Sequence, residues 1–80
     1  MTERLNSTNK VVGLKQVRRV LDLSEAQIVY IANDAEKEIV SNIEKHCKDE
    51  EIPIVYVESM KELGENCEID IGAAVAAILK

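Results

Sequence analysis

Aromatic residues are nearly absent from this 80-residue sequence, which has two tyrosines, no phenylalanine and no tryptophan. Tyr30 and Tyr56 both lie in apolar segments that we predict to be strands. A protein that reads single-stranded nucleic acid by stacking needs exposed aromatic rings on which successive bases lie. The composition therefore excludes a stacking platform for single strands.

Cysteine, histidine and glycine are also scarce, which excludes several kinds of site. Two cysteines are too few for a disulfide-stapled miniprotein, so we expect a reduced, cytoplasmic setting. The single histidine, His46, precedes Cys47, but neighbours on a helix point about 100° apart and form no nucleophilic pair. No zinc-ligand spacing and no glycine-rich phosphate loop occurs. We expect no enzyme, no metal and no cofactor.

Long apolar runs are missing too, since none approaches the roughly 20 residues that cross a bilayer, and we expect no membrane partner. The net charge of −5 is unevenly distributed. Five basic and two acidic residues give residues 1–22 a charge of +3, whereas residues 23–52 carry −5 and residues 53–80 carry −3. Because local potential governs binding more than net charge does, a basic face on this acidic protein is compatible with an anionic partner.

Apolar spacing predicts strands that alternate with helices. Strands are predicted over the short β-branched run 11–12 and over residues 27–32, 54–57 and 73–79. Helices are predicted over residues 14–21, from Asn33 to about residue 48, and from Ser59 onward, with a further short helix around Leu5. This order predicts one α/β domain over residues 1–80, with a central sheet covered by helices on both faces.

Two capping boxes mark predicted helix starts. Asn33 is followed three residues later by Glu36, and Ser59 by Glu62. In such a box the first side chain accepts a hydrogen bond from the backbone three residues ahead. We therefore predict Asn33 and Ser59 as the N-caps of the two helices.

The helix over residues 14–21 has a basic side. At about 100° per residue, Lys15, Gln16, Arg18 and Arg19 lie opposite the apolar residues of that helix. Gly13 stands before its first turn, where unpaired N–H groups and the helix dipole favour an anion. Two interpretations stay open, an ordinary solvated face and a surface that binds phosphates or bases.

Met60 is the second feature with two interpretations. At the first position of the short helix, an exposed methionine can adapt its shape to a partner such as an unstacked base. Alternatively, Met60, Leu63 and Cys67 form one apolar stripe that packs in the core.

Three segments of the chain resemble the ribosomal protein L7Ae/L30e family, and most closely its short bacterial members that bind kink-turn RNA. They are GLKQVRR at 13–19, IANDAE at 31–36 and IPIVYVESMKELG at 52–64. The likeness runs over nearly the whole chain and keeps the spacing between the segments. It implies a three-layer α/β/α sandwich with a mixed four-stranded sheet. It also implies a ribosomal-protein-like protein that recognises kink-turn RNA. We expect the RNA to be ribosomal RNA or a riboswitch, and the protein to be a cytoplasmic monomer that binds no DNA.

The resemblance also implies site residues. In the family, a glycine precedes a helix whose early residues reach the guanines of tandem sheared G·A pairs. The positions that match are Gly13, Lys15, Gln16 and Arg19, with Arg18 on the same basic face. The segment that packs on an extruded bulge nucleotide matches Glu58, Ser59, Met60 and Lys61, and Glu36 matches an acidic position near that nucleotide.

This chain departs from the family pattern at two places. Archaeal and eukaryotic members typically carry Asn-Glu-x-x-Lys where this chain has Lys15-Gln16-x-x-Arg19, a departure shared with the bacterial type. Glu68 stands where relatives often have glycine. An alternative function on the same fold is a protein-interaction module that binds a basic partner through the acidic long helix and Glu50-Glu51.

Overall fold

The computed structural model describes residues 9–67 and 72–80. Within these residues the strands are β1 (Lys10–Val12), β2 (Ala26–Ala32), β3 (Ile54–Val57) and β4 (Val75–Leu79). The helices are α1 (Leu14–Asp22), α2 (Lys37–Asp49) and α3 (Met60–Asn66). The predicted alternation of strands and helices is confirmed. The short helix predicted around Leu5 and the departure at Glu68 lie outside the described residues.

The four strands form one mixed sheet in the order β1-β4-β2-β3. The last strand in the chain, β4, lies inside the sheet and pairs antiparallel with both β1 and β2. Strand β3 pairs parallel with β2 and forms the outer strand on that side of the described sheet. The fold that the resemblance implies is therefore confirmed.

Helices cover both faces of the sheet. Alternate residues of each strand point to opposite sides, so both faces carry apolar side chains that the helices bury. Helices α1 and α2 pack on one face, around the buried residues Val17, Val20, Leu21, Ala26, Val29, Ile31, Ile43, Cys47, Val75 and Ala77. Helix α3 packs on the other, around Tyr30, Ala32, Ala35, Val57, Leu63, Cys67, Ala73, Ala76 and Ile78. The predicted apolar side of the first helix is confirmed by the burial of Val17, Val20 and Leu21.

The prediction that Asn33 caps the long helix is wrong. Helix α2 begins at Lys37, and its N-cap is Glu36, whose side chain makes no capping hydrogen bond. The backbone N–H of Asn33 instead donates to the Val57 carbonyl at 2.7 Å, which extends the pairing of β2 with β3. Because that bond holds Asn33 in line with the sheet, a turn must follow before helical geometry begins.

The second capping box behaves as predicted. Ser59 is the N-cap of α3, and its Oγ accepts a hydrogen bond from the Glu62 backbone N–H at 3.0 Å. The last strand is shorter than predicted, since it begins at Val75. Ala73 is buried but lies outside the ladder, because its N–H donates to the Met60 carbonyl at 3.0 Å.

Candidate functional site

All four strands have one of their ends on the same side of the sheet. Strands β1, β2 and β3 end there, and β4 begins there because it runs antiparallel to β1 and β2. The N–H of Gly13 donates to the Val75 carbonyl at 3.0 Å, and the N–H of Asn33 donates to the Val57 carbonyl at 2.7 Å. We call this side, at which residues 13, 33–36, 58–61 and 72–74 meet, the loop edge. All three segments that carry the sequence-predicted site residues reach it.

Helix α1 starts at the loop edge and presents its basic side to solvent. Lys15, Gln16, Arg18 and Arg19 are all exposed, as the helical spacing predicts. The first turn of this helix contains no acidic residue. The four side chains therefore form a continuous polar surface with three positive charges, which we call the basic face.

Gly13 occupies the N-cap position of α1 with φ 105° and ψ 152°. This conformation belongs to a region of backbone space that is essentially restricted to glycine. The Gly13 carbonyl accepts the first helical hydrogen bond, from the N–H of Val17 at 3.0 Å. This is the helix end where the dipole is positive and favours an anion.

The start of α3 forms the other part of the loop edge. Glu58, Met60 and Lys61 are exposed, whereas the cap residue Ser59 is half-buried. Of the predicted apolar stripe, Leu63 and Cys67 are buried, but Met60 is 37% exposed. The interpretation of Met60 as a core residue is therefore wrong, because the first position of α3 lies at the rim of the sheet.

Asp34 is a residue that sequence reasoning missed at this site. It lies in the turn after β2, and its Oδ1 accepts a hydrogen bond from the Met60 backbone N–H at 2.7 Å. The pattern that points to it is a pair of polar residues, Asn33 and Asp34, directly after a buried strand. Glu36, two residues further on, is exposed at the start of α2.

The loop edge is electrostatically divided. The basic face on α1 contributes three cations, whereas the rest of the edge carries three carboxylates, Asp34, Glu36 and Glu58, and one cation, Lys61. Phosphates favour the first part. Carboxylates accept hydrogen bonds from base amino groups, so the carboxylates of the second part suit a base, and Lys61 is its cation.

The side chains capable of covalent chemistry, Cys47 and His46, lie away from the loop edge. Cys47 is fully buried, and this burial, with a smaller contribution from the Glu44 carboxylate, raises the pKa of its thiol to about 11. Nδ1 of His46 lies 3.9 Å from Oδ1 of Asp22, at the end of α1 distant from Gly13. Cys47 is thus a protonated core residue, and protonated thiols are poor nucleophiles.

The two tyrosines differ in exposure. Tyr30 is buried in the core below α3, and Tyr56 on the outer strand is 48% exposed. The Tyr56 hydroxyl donates a hydrogen bond to Glu44 of α2. Both lie in strands, as predicted, and the pair does not form a row of exposed rings.

Within residues 9–67 and 72–80, no helix is long and apolar enough to cross a membrane. The same residues contain no group of three or more His, Cys, Asp or Glu side chains placed to hold a metal ion.

Comparison with known proteins gives matches over almost the full chain. The sequence model of the Ribosomal protein L7Ae/L30e/S12e/Gadd45 family matches residues 2–80. An RNA-binding protein of Halalkalibacterium halodurans is 45% identical over 74 residues, which cover 92% of this chain and 90% of that protein. An RNA-binding protein of Caldanaerobacter subterraneus is 52% identical over 69 residues, which cover 85% and 83%. The structure of a 15.5-kD RNA-binding protein of Giardia lamblia superposes with a TM-score of 0.87 at 28% identity, over 99% of this chain and 67% of that one.

Proposed function

The chain belongs to the Ribosomal protein L7Ae/L30e/S12e/Gadd45 family, and we propose that it is an RNA-binding protein without catalytic activity that recognises kink-turns. A kink-turn is a sharply bent RNA helix with a bulge beside tandem sheared G·A pairs. The proposal includes a cytoplasmic monomer that binds ribosomal RNA or a riboswitch. The observation that carries it is the convergence of the basic face and the exposed start of α3 at one loop edge.

The basic face is suited to the G·A pairs and the phosphates beside them. Lys15 and Arg19 are donors that match guanine acceptors, and the Gln16 amide both donates and accepts. The N-terminus of α1 adds its own N–H groups and a favourable dipole. Arg18, displaced around the helix, is in a position to contact phosphates without reading a base.

The start of α3 is suited to an extruded nucleotide. Met60 offers a flexible thioether at the rim, and such side chains adapt to an irregular apolar face. Glu36 and Glu58 supply acceptors for base N–H groups around it. Lys61 supplies a cation for the phosphate of the same nucleotide.

Recognition by this arrangement depends on RNA shape. The two surfaces belong to helices on opposite faces of the sheet, and strand pairing fixes their separation. A straight A-form duplex has a deep, narrow major groove that side chains do not read. A bent RNA with an extruded nucleotide instead offers exposed base edges to both surfaces, and we expect this shape to be the one that is bound.

The test is a titration of a kink-turn RNA against a matched RNA in which Watson–Crick pairs replace the two G·A pairs, at one fixed salt concentration. We expect nanomolar binding of the kink-turn and binding of the control weaker by about 30-fold or more, since two wrong pairs at about 1–3 kcal/mol each cost at least about 2 kcal/mol. Chemical-shift changes should map to residues 13–19 and 57–63.

Equal affinity for the two RNAs contradicts the proposal. A protein partner that survives nuclease treatment, combined with no shift of the kink-turn RNA, favours the interaction-module alternative instead. The charge of α2 offers that alternative little support, because its three lysines offset its three carboxylates.

A further inference from the structure

A side-chain to main-chain hydrogen bond joins two segments of the loop edge that are 26 residues apart. Oδ1 of Asp34, in the turn between β2 and α2, accepts from the backbone N–H of Met60 at 2.7 Å. Met60 is the first residue of α3, so its N–H has no partner within the helix. A carboxylate is a strong acceptor for such a group, and its negative charge interacts favourably with the positive end of the helix dipole.

Met60 is held from its other side as well. Its carbonyl accepts a hydrogen bond from the N–H of Ala73 at 3.0 Å. Gly72 packs so closely that an added β-carbon there would lie 3.3 Å from Cβ of Met60 and 3.4 Å from its carbonyl carbon and oxygen. The main chain of Met60 is therefore fixed by two segments remote in sequence, while its side chain is 37% exposed.

Helix capping alone does not account for this bond. Helix α3 already has an N-cap, because Oγ of Ser59 accepts from the Glu62 N–H at 3.0 Å. The Asp34 bond also fixes the start of α3 relative to the start of α2. Asp34 lies only two residues before Glu36, the N-cap of α2. It therefore sets the spacing between the acidic start of α2 and the exposed thioether at the start of α3.

We propose that Asp34 is a positioning residue, which holds Met60 in place for an extruded RNA nucleotide without itself contacting the base. This inference rests on the proposed function, and it assigns a role to a residue outside the binding surface predicted from the sequence. Oδ1 of Asp34 is engaged by the protein main chain, and Glu36 and Glu58 are the exposed carboxylates that we assign as acceptors for the base.

The test uses two RNAs and three variants. The RNAs are a kink-turn and the same kink-turn with an abasic site at the extruded nucleotide. Asp34→Ala removes the acceptor, Asp34→Asn retains an Oδ1 acceptor, and Asp49→Ala removes an exposed aspartate from the far end of α2 as a matched control.

We expect Asp34→Ala to bind the intact kink-turn roughly 10-fold more weakly than the wild type, which corresponds to loss of one charged hydrogen bond. Its affinity for the abasic RNA should stay within about twofold of the wild type, because no base is there to meet Met60. Asp34→Asn should recover most of the loss, and Asp49→Ala should match the wild type on both RNAs. In the free protein, amide exchange at Met60 should be faster in Asp34→Ala than in Asp34→Asn.

Gly72→Ala disturbs the same residue from its other side and provides a second variant. Its added methyl group would lie 3.3 Å from Cβ of Met60, a tight contact that displaces this residue, so binding of the intact RNA should weaken and binding of the abasic RNA should not. A general loss of folding would weaken the binding of both RNAs equally. If Asp34→Ala and Gly72→Ala each weaken binding of the intact RNA and of the abasic RNA by the same factor, the inference is overturned.

The remaining outcomes separate this inference from the proposed function. If the wild type binds neither RNA, the proposed function and the inference fall together. If the wild type prefers the intact RNA and Asp34→Ala behaves like the wild type, only the positioning role is overturned. If the wild type binds both RNAs equally, Met60 makes no contact with the nucleotide, and the inference falls while G·A recognition stands.

Discussion

Oε1 of Gln16 lies 3.0 Å from the point that a β-carbon on Gly13 would occupy. The side chain of Gln16 therefore folds back over the start of its own helix, into space that only a glycine leaves open. The backbone of Gly13, with φ 105° and ψ 152°, is also in a conformation that other residues rarely adopt. The backbone conformation thus requires glycine at this position, whereas the exposed end of the Gln16 side chain needs to shift only slightly to admit a β-carbon.

Gly13→Ala should lower the free energy of unfolding by about 1–3 kcal/mol, because alanine is strained in this backbone region. Urea denaturation checks the value. The double variant Gly13→Ala with Gln16→Ala relieves the side-chain contact and leaves the backbone strain. It should recover only part of the loss, and a full recovery would contradict the role of the backbone.

Lys15→Ala and Arg19→Ala should each weaken binding of kink-turn RNA by about 1–3 kcal/mol if these side chains contact bases. Their exposed positions on the basic face mean that folding should be unaffected. Calorimetric titration measures the loss, with Lys45→Ala, an exposed lysine in the middle of α2, as the matched control. An equal loss in Lys45→Ala would point to a general charge effect.

Arg18→Ala should behave differently from its neighbours. Removal of a residue that contacts only phosphate weakens the binding of all RNAs alike. It also reduces the slope of log affinity against log salt concentration by about one. Titrations of the kink-turn and of the control with replaced G·A pairs, over a range of salt concentrations, give this slope. A loss restricted to the kink-turn, with an unchanged slope, would instead assign Arg18 to base recognition.

Ser59→Ala should destabilise the protein by about 1 kcal/mol, because the Glu62 N–H loses its capping acceptor. Ser59→Asp supplies another oxygen at the same place and should restore most of that stability. Thermal or urea unfolding of the three proteins tests this order. Equal stability of Ser59→Ala and the wild type would show that the cap contributes nothing.

Cys47 should be almost inert in the folded protein. Burial raises the pKa of its thiol to about 11, so at pH 8 the thiolate is scarcer than at an exposed cysteine. In a Cys67→Ala background, an aromatic disulfide reagent should react with Cys47 only as fast as the protein opens, and quickly in denaturant. Rapid reaction without denaturant would place the thiol at the surface.

Local patterns predicted the helices well wherever no tertiary contact competed with them. The spacing of Val17, Val20 and Leu21 placed the apolar side of α1 correctly, and the Ser59 box marked the start of α3. The same kind of box failed at Asn33, because a bond to Val57 on a neighbouring strand holds that residue in the sheet. Sequence spacing contains no information about such a partner.

Residue patterns could not predict, for the same reason, which segments meet at the loop edge. The starts of α1 and α3 meet at one edge only because β4, the last strand, inserts between β1 and β2 and runs against both. Periodicity gives the strands but neither their order nor their direction. The resemblance to a family supplied the arrangement, and the contact of Asp34 with Met60 appeared only in the structure.

The direction of β4 has a practical consequence for measuring binding. This strand begins at the loop edge and runs to the opposite side of the sheet, where the N–H of Lys80 donates to the Glu25 carbonyl at 2.9 Å. A fluorophore or surface tether joined after residue 80 therefore stands behind the domain, away from the basic face and Met60. Immobilisation by that route leaves the proposed RNA surface open, whereas a probe at Lys61 would obstruct it.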